Sequence, residues 1–299
     1  MTDIKNSISG KTKIFGVIGD PIGHSFSPEI HNEIYTLTGE NAAYVPFNVK
    51  PDNLEEAVKG AYGLGILGLN VTLPHKKEVI KYLCGTDSDA ELIGAVNTLK
   101  YTEKGYVGYN TDIIGIEYSF SAAGISLKNR NCLVLGAGGA SDALCVALLR
   151  GGAKRLYIAN RTFEKAEKLK NRLEGKYNTE IIPLALSETD KAAGIDIVLN
   201  GTTLGFGKNI RLSPLPDDFF SGRNVEICFD VIYTPWETKL LKSAAKAGAV
   251  CINGFDMLIY QGAASEEIWF SKKYDESFLN KIKNKLKEQF LLTKEGNTK

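Results

Sequence analysis

The sequence predicts an α/β fold with two domains, each built around a mostly parallel sheet. Short apolar runs of strand character alternate with segments whose apolar residues recur at helical spacing. Such alternation is typical of parallel sheets, because two parallel strands need a crossover connection, usually a helix, between them. A glycine-rich turn over residues 136–140 joins one of these strands to a helix. The length of 299 residues is sufficient for two domains of ordinary size.

The first part of the chain alternates strands and helices as far as residue 123. The predicted strands cover residues 13–18, 44–49 and 66–71, and a hairpin covers residues 94–109. The predicted helices cover residues 29–37, 53–62, 77–83 and 113–123. Pro28 suits the first turn of the helix that follows it, and Asn110 and Asp112 provide a cap for the fourth helix.

The second part repeats the alternation after a linker over residues 124–131. Its predicted strands cover residues 132–135, 155–159, 181–186, 195–199, 227–232 and 249–252, and its predicted helices cover residues 142–149, 163–173 and 238–247. An irregular, proline-rich segment covers residues 206–220. Helices over residues 254–270 and 277–292 follow, the second one rich in lysine, and we expect them to pack back on the first domain.

Composition and charge predict a cytoplasmic protein that binds neither nucleic acid nor membrane. The hydrophobic fraction of 43% and the charged fraction of 24% are typical of a soluble globular protein. A net charge of +1 gives no reason to expect a polyanionic partner. The five cysteines are odd in number and never spaced C-x-x-C, which indicates free thiols in a reducing compartment. The three histidines have no clustered acidic partner, so no metal site is expected.

The turn Gly-Ala-Gly-Gly-Ala over residues 136–140 indicates a nucleotide site. Gly136 and Gly138 let the backbone turn sharply and approach a pyrophosphate, and the N–H groups of the next helix favour that anion. Tight strand-to-helix turns also use glycine for steric reasons alone. Because a strand and a helix flank the turn, we predict a dinucleotide-binding site there.

The end of the next predicted strand favours NADP over NAD. In NAD-binding folds this strand ends in Asp or Glu, which accepts hydrogen bonds from the ribose. Here it ends in Asn160, Arg161 and Thr162, with Lys165 one helical turn further on. A guanidinium at Arg161 can pair with a 2′-phosphate through two hydrogen bonds, whereas a carboxylate would repel it. The alternative is a solvated arginine at a strand end.

Three polar clusters follow strands of the first domain: Ser25 with Ser27, Thr72 with Lys76, and Asn97 with Asn110 and Asp112. A nicotinamide enzyme that reduces a carbonyl needs a proton donor beside the hydride acceptor. Ser25 and Ser27 precede a helix N-terminus, which is a natural carboxylate site. Each cluster has a structural alternative, because Ser and Asp cap helices, Asn makes turns, and lysine is common on surfaces. A lysine in a first helical turn opposes the helix dipole, which indicates that another interaction keeps Lys76 there, and a joint catalytic role with Asp112 stays open beside the structural alternatives.

Eight short motifs stand in a fixed order along the chain. They are GDPIGHSFSP (19–28), NVTLPHK (70–76), GAVNT (94–98), GYNTD (108–112), GAGGA (136–140), NRT (160–162), DVIYTP (230–235) and NGFDMLIYQ (253–261). In this order they resemble the shikimate dehydrogenase family. The resemblance extends from about residue 15 to about residue 270.

The resemblance implies a fold and an activity. The fold would comprise a substrate-binding domain over residues 1–113, completed by C-terminal helices over residues 255–299, and a Rossmann-type NADP-binding domain over residues 114–254. The activity would be the reversible, NADPH-dependent reduction of 3-dehydroshikimate to shikimate, an oxidoreductase reaction of aromatic amino-acid and chorismate biosynthesis. Lys76 would be the general acid and base, paired with Asp112. Members of the family are monomers or homodimers, and both states stay open here.

The resemblance also implies the residues that bind substrate and cofactor. The substrate residues would be Ser25 and Ser27 on the carboxylate, with Tyr233 assisting, and Thr72, Asn97, Asp112 and Gln261 on the ring hydroxyls, beside Lys76. The NADP residues would be Gly136, Ala137, Gly138, Gly139, Ala140, Asn160, Arg161, Thr162, Lys165, Val231 and Gly254.

Four residues depart from the usual pattern of the family. Ser141 stands where a third Gly or Ala is common, and it is small enough to pack. Asp142 places an acidic charge at the start of the phosphate-facing helix, which would weaken cofactor binding unless the side chain faces solvent. His75 replaces a residue that is often aromatic, and Phe206 replaces one that is often Met.

Two other functions stay open at this point. One is a quinate/shikimate dehydrogenase that uses NAD or NADP, and the other is a catalytically silent NADP-binding sensor. The Ser-x-Ser and NRT motifs favour shikimate and NADP, and the complete Lys76–Asp112 pair favours an enzyme.

Overall fold

The computed structural model describes residues 8–23 and 25–296. The described chain forms two compact units. Unit 1 comprises the described residues up to Gly115 together with those from Leu258 onward, and unit 2 comprises Ile116–Met257. The two ends of the chain, residues 1–7 and 297–299, belong to the predicted first domain and lie outside the described residues.

Unit 1 contains a mixed, mostly parallel sheet. Its strands are β1 (Lys13–Gly19), β2 (Ala42–Asn48), β3 (Gly68–Val71), β4 (Gly85–Thr86), β5 (Thr98–Thr102) and β6 (Gly105–Tyr109). Within the described residues the sheet has six strands in the order β2-β1-β3-β5-β6-β4. β1 pairs in parallel with β2 and β3, and β4 pairs in parallel with β6, whereas β5 runs antiparallel to β3 and β6. The predicted mostly parallel sheet is confirmed.

The register of β1 and β3 brings two polar loops of unit 1 together. Ile18 is paired with Val71, so the loops that follow the two strands start side by side. The Thr72 N–H donates to the Ile18 carbonyl at 2.9 Å. Gly19 is required at this contact, because a Cβ there would lie 2.5 Å from Thr72 Cγ2.

Unit 2 contains a parallel sheet. Its strands are β7 (Asn131–Leu135), β8 (Arg155–Asn160), β9 (Glu180–Ala185), β10 (Ile197–Asn200), β11 (Ile227–Asp230) and β12 (Val250–Ile252). The order is β12-β11-β10-β7-β8-β9, and all neighbouring strands pair in parallel. Taken from β9 to β12, this is the 3-2-1-4-5-6 order of doubly wound nucleotide-binding sheets, whose ligands bind where the order reverses. The predicted Rossmann-type architecture is confirmed.

The helices follow the predicted alternation. They are α1 (Ser27–Thr38), α2 (Leu54–Gly63), α3 (Ser88–Ile93), α4 (Asp112–Ala122), α5 (Gly139–Arg150), α6 (Phe163–Leu173), α7 (Lys239–Lys246), α8 (Phe255–Phe270) and α9 (Glu276–Gly296). α5 is buried along most of its length, as its apolar sequence requires, whereas α6 buries only one face. Among the described residues, no helix combines the length and apolar character needed to cross a membrane.

The segment between β3 and β5 differs from its prediction. The predicted helix over residues 77–83 is wrong, because the chain forms only a 3₁₀ turn over Glu78–Tyr82 before Leu83 becomes extended and leads into β4. The sequence also gives no sign of α3, which has six residues and no room for an amphipathic repeat. Asp87 caps α3 by accepting a hydrogen bond from the Ala90 N–H at 2.8 Å.

All five cysteines are free thiols, as the sequence predicts. Cys132, Cys145 and Cys228 are buried in unit 2, and burial raises the pKa of the Cys132 thiol to about 12. Such thiols stay protonated and unreactive at neutral pH.

A buried hydrogen bond between a histidine and a glutamate joins α1 and α8 in the core of unit 1. His31 Nδ1 and Glu266 Oε1 are 2.5 Å apart, and both side chains are fully buried. The His31 ring stacks on Tyr44, with ring centroids 4.0 Å apart. The Trp269 ring packs beside them, with its centroid 5.3 Å from that of His31. Since the paired residues are 235 positions apart, the sequence pattern does not indicate the contact.

Candidate active site

Lys76 and Asp112 form an ion pair in unit 1. Lys76 Nζ contacts Asp112 Oδ2. The two side chains are only 16% and 5% exposed, so the pair is largely shielded from bulk water. Asp112 is the first residue of α4, where the helix dipole stabilises a carboxylate. An ammonium group carries three donors, so Lys76 can contact Asp112 and still donate to a substrate oxygen.

Asn97 holds the Asp112 carboxylate from another side. Asn97 Nδ2 donates to Asp112 Oδ1 at 2.9 Å. Asn97 Oδ1 in turn accepts from the Thr111 N–H at 2.8 Å. Asn110 Oδ1 accepts from the Asp112 N–H at 3.0 Å and satisfies the start of α4. Each oxygen of Asp112 therefore has its own partner, which fixes the orientation of the carboxylate.

The backbone around Lys76 is anchored on both sides. The Val96 N–H donates to the Lys76 carbonyl at 2.8 Å. His75 is 1% exposed, and its Nε2 lies 2.7 Å from the carbonyl oxygen of Val49, just after β2. This bond explains why a polar ring stands at His75, and it ties the lysine-bearing loop to the sheet.

Gln261 joins the same hydrogen-bond network from α8. Its Oε1 accepts from Asn97 Nδ2 at 3.4 Å, and its Nε2 donates to the Leu258 carbonyl at 2.8 Å. Thr72 is half-buried in the loop after β3, and its hydroxyl has no hydrogen-bond partner among the described residues. Of the residues predicted to bind substrate, the structure brings Lys76, Asn97, Asp112 and Gln261 into one cluster.

Ser25 and Ser27 lie at the start of α1. The Ser27 N–H donates to Ser25 Oγ at 3.2 Å, and Ser27 is 8% exposed while Ser25 is half-buried. The N-cap residue Phe26 has no side-chain acceptor for the N–H groups of α1, and a helix N-terminus of this kind can bind an anion. His24 of the same motif lies outside the described residues.

The sequence does not indicate the buried polar network behind Asn97. Asn70 Nδ2 donates to the Asn97 carbonyl at 3.1 Å and to Ser265 Oγ at 2.9 Å. The hydroxyls of Thr98 and Ser265 are 2.9 Å apart, and the Tyr44 hydroxyl donates to Asn70 Oδ1 at 2.7 Å. Asn70 and Thr98 lie in the motifs NVTLPHK (70–76) and GAVNT (94–98), and this position is the one sequence feature that points to them. The network holds Asn97, and through it the Asp112 carboxylate.

The glycine turn of unit 2 connects β7 to α5. Gly136 has a φ of 107°, which side-chain-bearing residues rarely adopt, and a Cβ there would lie 2.5 Å from Ser141 Oγ. Ser141 is fully buried, so a small residue is needed at its position. Gly138 is the N-cap of α5, and as a glycine it has no side chain that could accept a hydrogen bond from the first turn. The turn therefore meets the requirements of a pyrophosphate site formed by main-chain N–H groups.

Asp142 does not face solvent. Its side chain is 1% exposed and pairs with Arg172 of α6, whose Nη2 lies 3.1 Å from Asp142 Oδ2. From the sequence, the Asp142 charge is expected to weaken phosphate binding unless the side chain faces solvent. In the structure the side chain faces inward, and the Arg172 guanidinium offsets its negative charge there. Sequence reasoning missed the pair because Arg172 lies on the next helix.

Arg161 lies in the turn between β8 and α6. Asn160 Nδ2 donates to the Thr162 carbonyl at 2.8 Å and closes this turn. Arg161 is exposed, forms no ion pair with another described residue, and lines a cleft in unit 2. Lys165 is exposed on α6 and does not line that cleft.

Val231 and Gly254 meet beyond the end of β11. A Cβ on Gly254 would lie 2.0 Å from the Val231 carbonyl oxygen, so only glycine permits this approach. The Gly254 N–H donates to the Ile232 carbonyl at 3.1 Å. Tyr233 follows in the same loop of unit 2 and is half-buried.

Asp230 ends β11 with a buried carboxyl group. Its Oδ1 accepts from Asn200 Nδ2 at 3.0 Å, and its Oδ2 accepts from the Thr238 hydroxyl at 2.7 Å. Burial raises the pKa of Asp230 from 3.8 to about 6, although these hydrogen bonds act in the opposite direction. The folded protein therefore holds this proton more tightly than the unfolded chain does.

We expect Asp230→Asn to change the pH dependence of stability. The raised pKa of Asp230 adds to the free energy of unfolding. This contribution is fully present below about pH 4 and is lost as the pH rises through about 6. An amide stays neutral, so the stability of wild type relative to the variant should fall by about 2–3 kcal/mol between about pH 4 and pH 7.5. Urea unfolding of both proteins at several pH values measures this difference. Asp218→Asn, at an exposed position, is the control. If the free energy of unfolding changed with pH equally in both variants, the prediction would be contradicted.

Two protein families match the two parts of the chain. Residues 17–99 match the family described as shikimate dehydrogenase substrate binding domain. Residues 119–204 match the family described as shikimate / quinate 5-dehydrogenase. A protein of Methanococcus aeolicus named shikimate dehydrogenase (NADP(+)) is 43% identical over 277 residues, which cover 93% of this chain and 98% of the relative.

Solved structures are similar over almost the whole chain. A crystal structure of a shikimate dehydrogenase in complex with NADP+ has 38% identity and a TM-score of 0.83, covering 96% of this chain and 98% of that one. The enzyme from Thermus thermophilus in complex with NADP(H) and shikimate has 30% identity and a TM-score of 0.79, covering 92% and 99%. From its matching sequence and fold, the chain belongs to the shikimate dehydrogenase family.

Proposed function

We propose that this chain catalyses the reversible, NADPH-dependent reduction of 3-dehydroshikimate to shikimate in aromatic amino-acid biosynthesis. Unit 1 would hold the substrate and unit 2 the cofactor. The observation that carries the proposal is the shielded contact between Lys76 Nζ and Asp112, in a chain of this family. The complete pair favours an enzyme over a catalytically silent NADP-binding sensor.

Lys76 is the proposed general acid for reduction and the general base for the reverse reaction. NADPH, when bound, supplies the hydride. Negative charge develops on the C3 oxygen of the substrate as the carbonyl is reduced, and Lys76 Nζ stabilises this oxygen and donates a proton to it. Asp112 and Asn97 keep the ammonium group in place through the contacts described above. Holding a donor in this position before the reaction lowers the cost of orienting it.

The other predicted residues would position the substrate. Ser25 and Ser27 at the start of α1 would bind the carboxylate, with Tyr233 assisting. Thr72 and Gln261 would bind ring hydroxyls together with Asn97. The Thr72 hydroxyl has no partner among the described residues, which leaves it available for this role.

The residues of unit 2 fit a bound NADP. The start of α5, with glycine as its N-cap residue, and the glycine turn from Gly136 to Ala140 suit the pyrophosphate. Arg161, without an ion pair to any described residue, would bind the 2′-phosphate beside Asn160 and Thr162. Val231 and Gly254 would also contact the cofactor. Buried free thiols such as Cys228 are typical of proteins in a reducing compartment, so we propose a cytoplasmic location. The protein would be a monomer or a homodimer.

The proposed function is tested by following absorbance at 340 nm with four substrate and cofactor pairs. We expect a rapid rise with NADP+ and shikimate, little rise with NAD+ and shikimate, and none with quinate and either cofactor. Comparable rates with quinate would instead indicate a quinate/shikimate dehydrogenase. Tight NADPH binding without turnover of either acid would indicate the sensor.

We expect Arg161→Ala to raise KM for NADP+ by about 10- to 100-fold, because a charge-assisted hydrogen bond to phosphate is lost. KM for NAD+ should stay unchanged, since NAD+ lacks the 2′-phosphate. Initial rates at saturating shikimate measure both constants. Lys168→Ala on the exposed face of α6 is the matched control. An unchanged KM for NADP+ in Arg161→Ala would contradict the assignment.

A further inference from the structure

Arg161 shares its cleft with a second arginine. The cleft has a volume of about 620 Å³ and lies entirely in unit 2. Arg161 reaches it from the turn after β8, and Arg211 reaches it from the long loop between β10 and β11. No motif of the sequence includes Arg211. We infer that Arg211 binds the 2′-phosphate of NADP together with Arg161 and contributes to the preference for NADP over NAD, an inference that rests on the proposed function.

The charges that line the cleft favour a dianion. Lys239 and Asp217 also line it, but Lys239 Nζ lies 2.8 Å from Asp217 Oδ1, so these two charges offset each other. Neither Arg161 nor Arg211 forms an ion pair with any described residue. Two uncompensated guanidinium groups on one cleft match a phosphate monoester, which carries a charge near −2 at neutral pH.

The walls of the cleft suit a nucleoside monophosphate better than a free inorganic anion. Leu186, Leu212 and Pro214 supply apolar surface, and Ser187 supplies a hydroxyl group. An aromatic base can pack on such a surface while its neighbouring phosphate contacts the arginines.

The loop holds the backbone of Arg211 in place. The Leu212 N–H donates to the Asn209 carbonyl at 2.9 Å, and the Ile210 N–H donates to the Gly207 carbonyl at 3.1 Å. Further on, Leu215 is 4% exposed and anchors the loop in the core of unit 2. A positioned loop reduces the entropy lost when the arginine binds its ligand.

Steady-state kinetics of Arg211→Ala test the inference. We expect KM for NADP+ to rise about tenfold, KM for NAD+ to stay the same, and kcat at saturating NADP+ to stay within about twofold. The KM for NADP+ of Arg211→Lys should lie between those of wild type and Arg211→Ala, because lysine keeps the charge but cannot bind the phosphate through two hydrogen bonds. Lys208→Ala, in the same loop but outside the cleft, is the control and should match wild type.

Binding of adenosine 2′,5′-bisphosphate and of 5′-AMP by calorimetry gives a second measurement that does not need turnover. Arg211→Ala should weaken the bisphosphate about tenfold and leave 5′-AMP unchanged. The inference is overturned if Arg211→Ala has the same KM for NADP+ as Lys208→Ala, or if it weakens the binding of both nucleotides equally. The proposed function would still stand in either case. If wild type fails to oxidise shikimate with NADP+, the proposed function itself fails.

Discussion

Replacing Lys76 with alanine is expected to lower kcat by about 10²- to 10⁴-fold, which is the usual contribution of a positioned general acid or base. The variant loses the proton donor to the C3 oxygen but keeps all the proposed cofactor contacts, which lie in unit 2. We therefore expect the Kd for NADPH, measured by nicotinamide fluorescence, to stay within about twofold of wild type.

Lys77→Ala is the matched control for this experiment. It removes a neighbouring, exposed lysine from the same loop and should leave kcat unchanged. If Lys76→Ala lost NADPH binding in parallel with turnover, Lys76 would be a structural residue and not the proton donor. Turnover close to wild type would likewise contradict its role.

Replacing Glu266 with alanine is expected to lower the free energy of unfolding of unit 1 by about 3–5 kcal/mol, the combined cost of a cavity and of a buried polar group left unsatisfied. The change leaves His31 fully buried without its hydrogen-bond partner and opens a cavity beside Tyr44. Urea unfolding followed by the fluorescence of Trp269, whose ring lies 5.3 Å from His31, reports on this region. A Trp236→Phe background removes the signal of the tryptophan in unit 2.

Glu288→Ala is the control for this second experiment, because Glu288 is exposed on α9 in the same unit. Surface substitutions of this kind usually change stability by less than about 0.5 kcal/mol. Equal midpoints and slopes for Glu266→Ala and Glu288→Ala would mean that the buried pair adds little, and would contradict the prediction.

Long, strongly patterned elements were predictable because their signals are local. The apolar strand before Gly136, the turn itself and the helix after it all lie within about twenty residues, where spacing carries the information. α3 was not predictable, since six residues are too few for a periodic pattern. The segment over Glu78–Tyr82 resembles a helix start but is cut short by β4, a constraint set by tertiary structure.

In the candidate site, too, local patterns predict some features and only tertiary structure determines the others. Lys76 and Asp112 stand out from their motifs, but only the fold brings residues 36 positions apart into contact. Asp142 and Arg172 show what local reasoning leaves out: an acidic residue at a helix start is offset by a partner on another helix. Arg211 has no local signal at all, because its significance comes from the cleft that it shares with Arg161.

A crystal structure with NADP+ and shikimate tests the proposed mechanism most directly. We expect Lys76 Nζ within about 3 Å of the shikimate 3-hydroxyl oxygen, and the shikimate carboxylate on the hydroxyls of Ser25 and Ser27. A 3-hydroxyl that lies beyond reach of Lys76, or a carboxylate that faces the Lys76–Asp112 pair, would contradict the assignment of Lys76 as the proton donor.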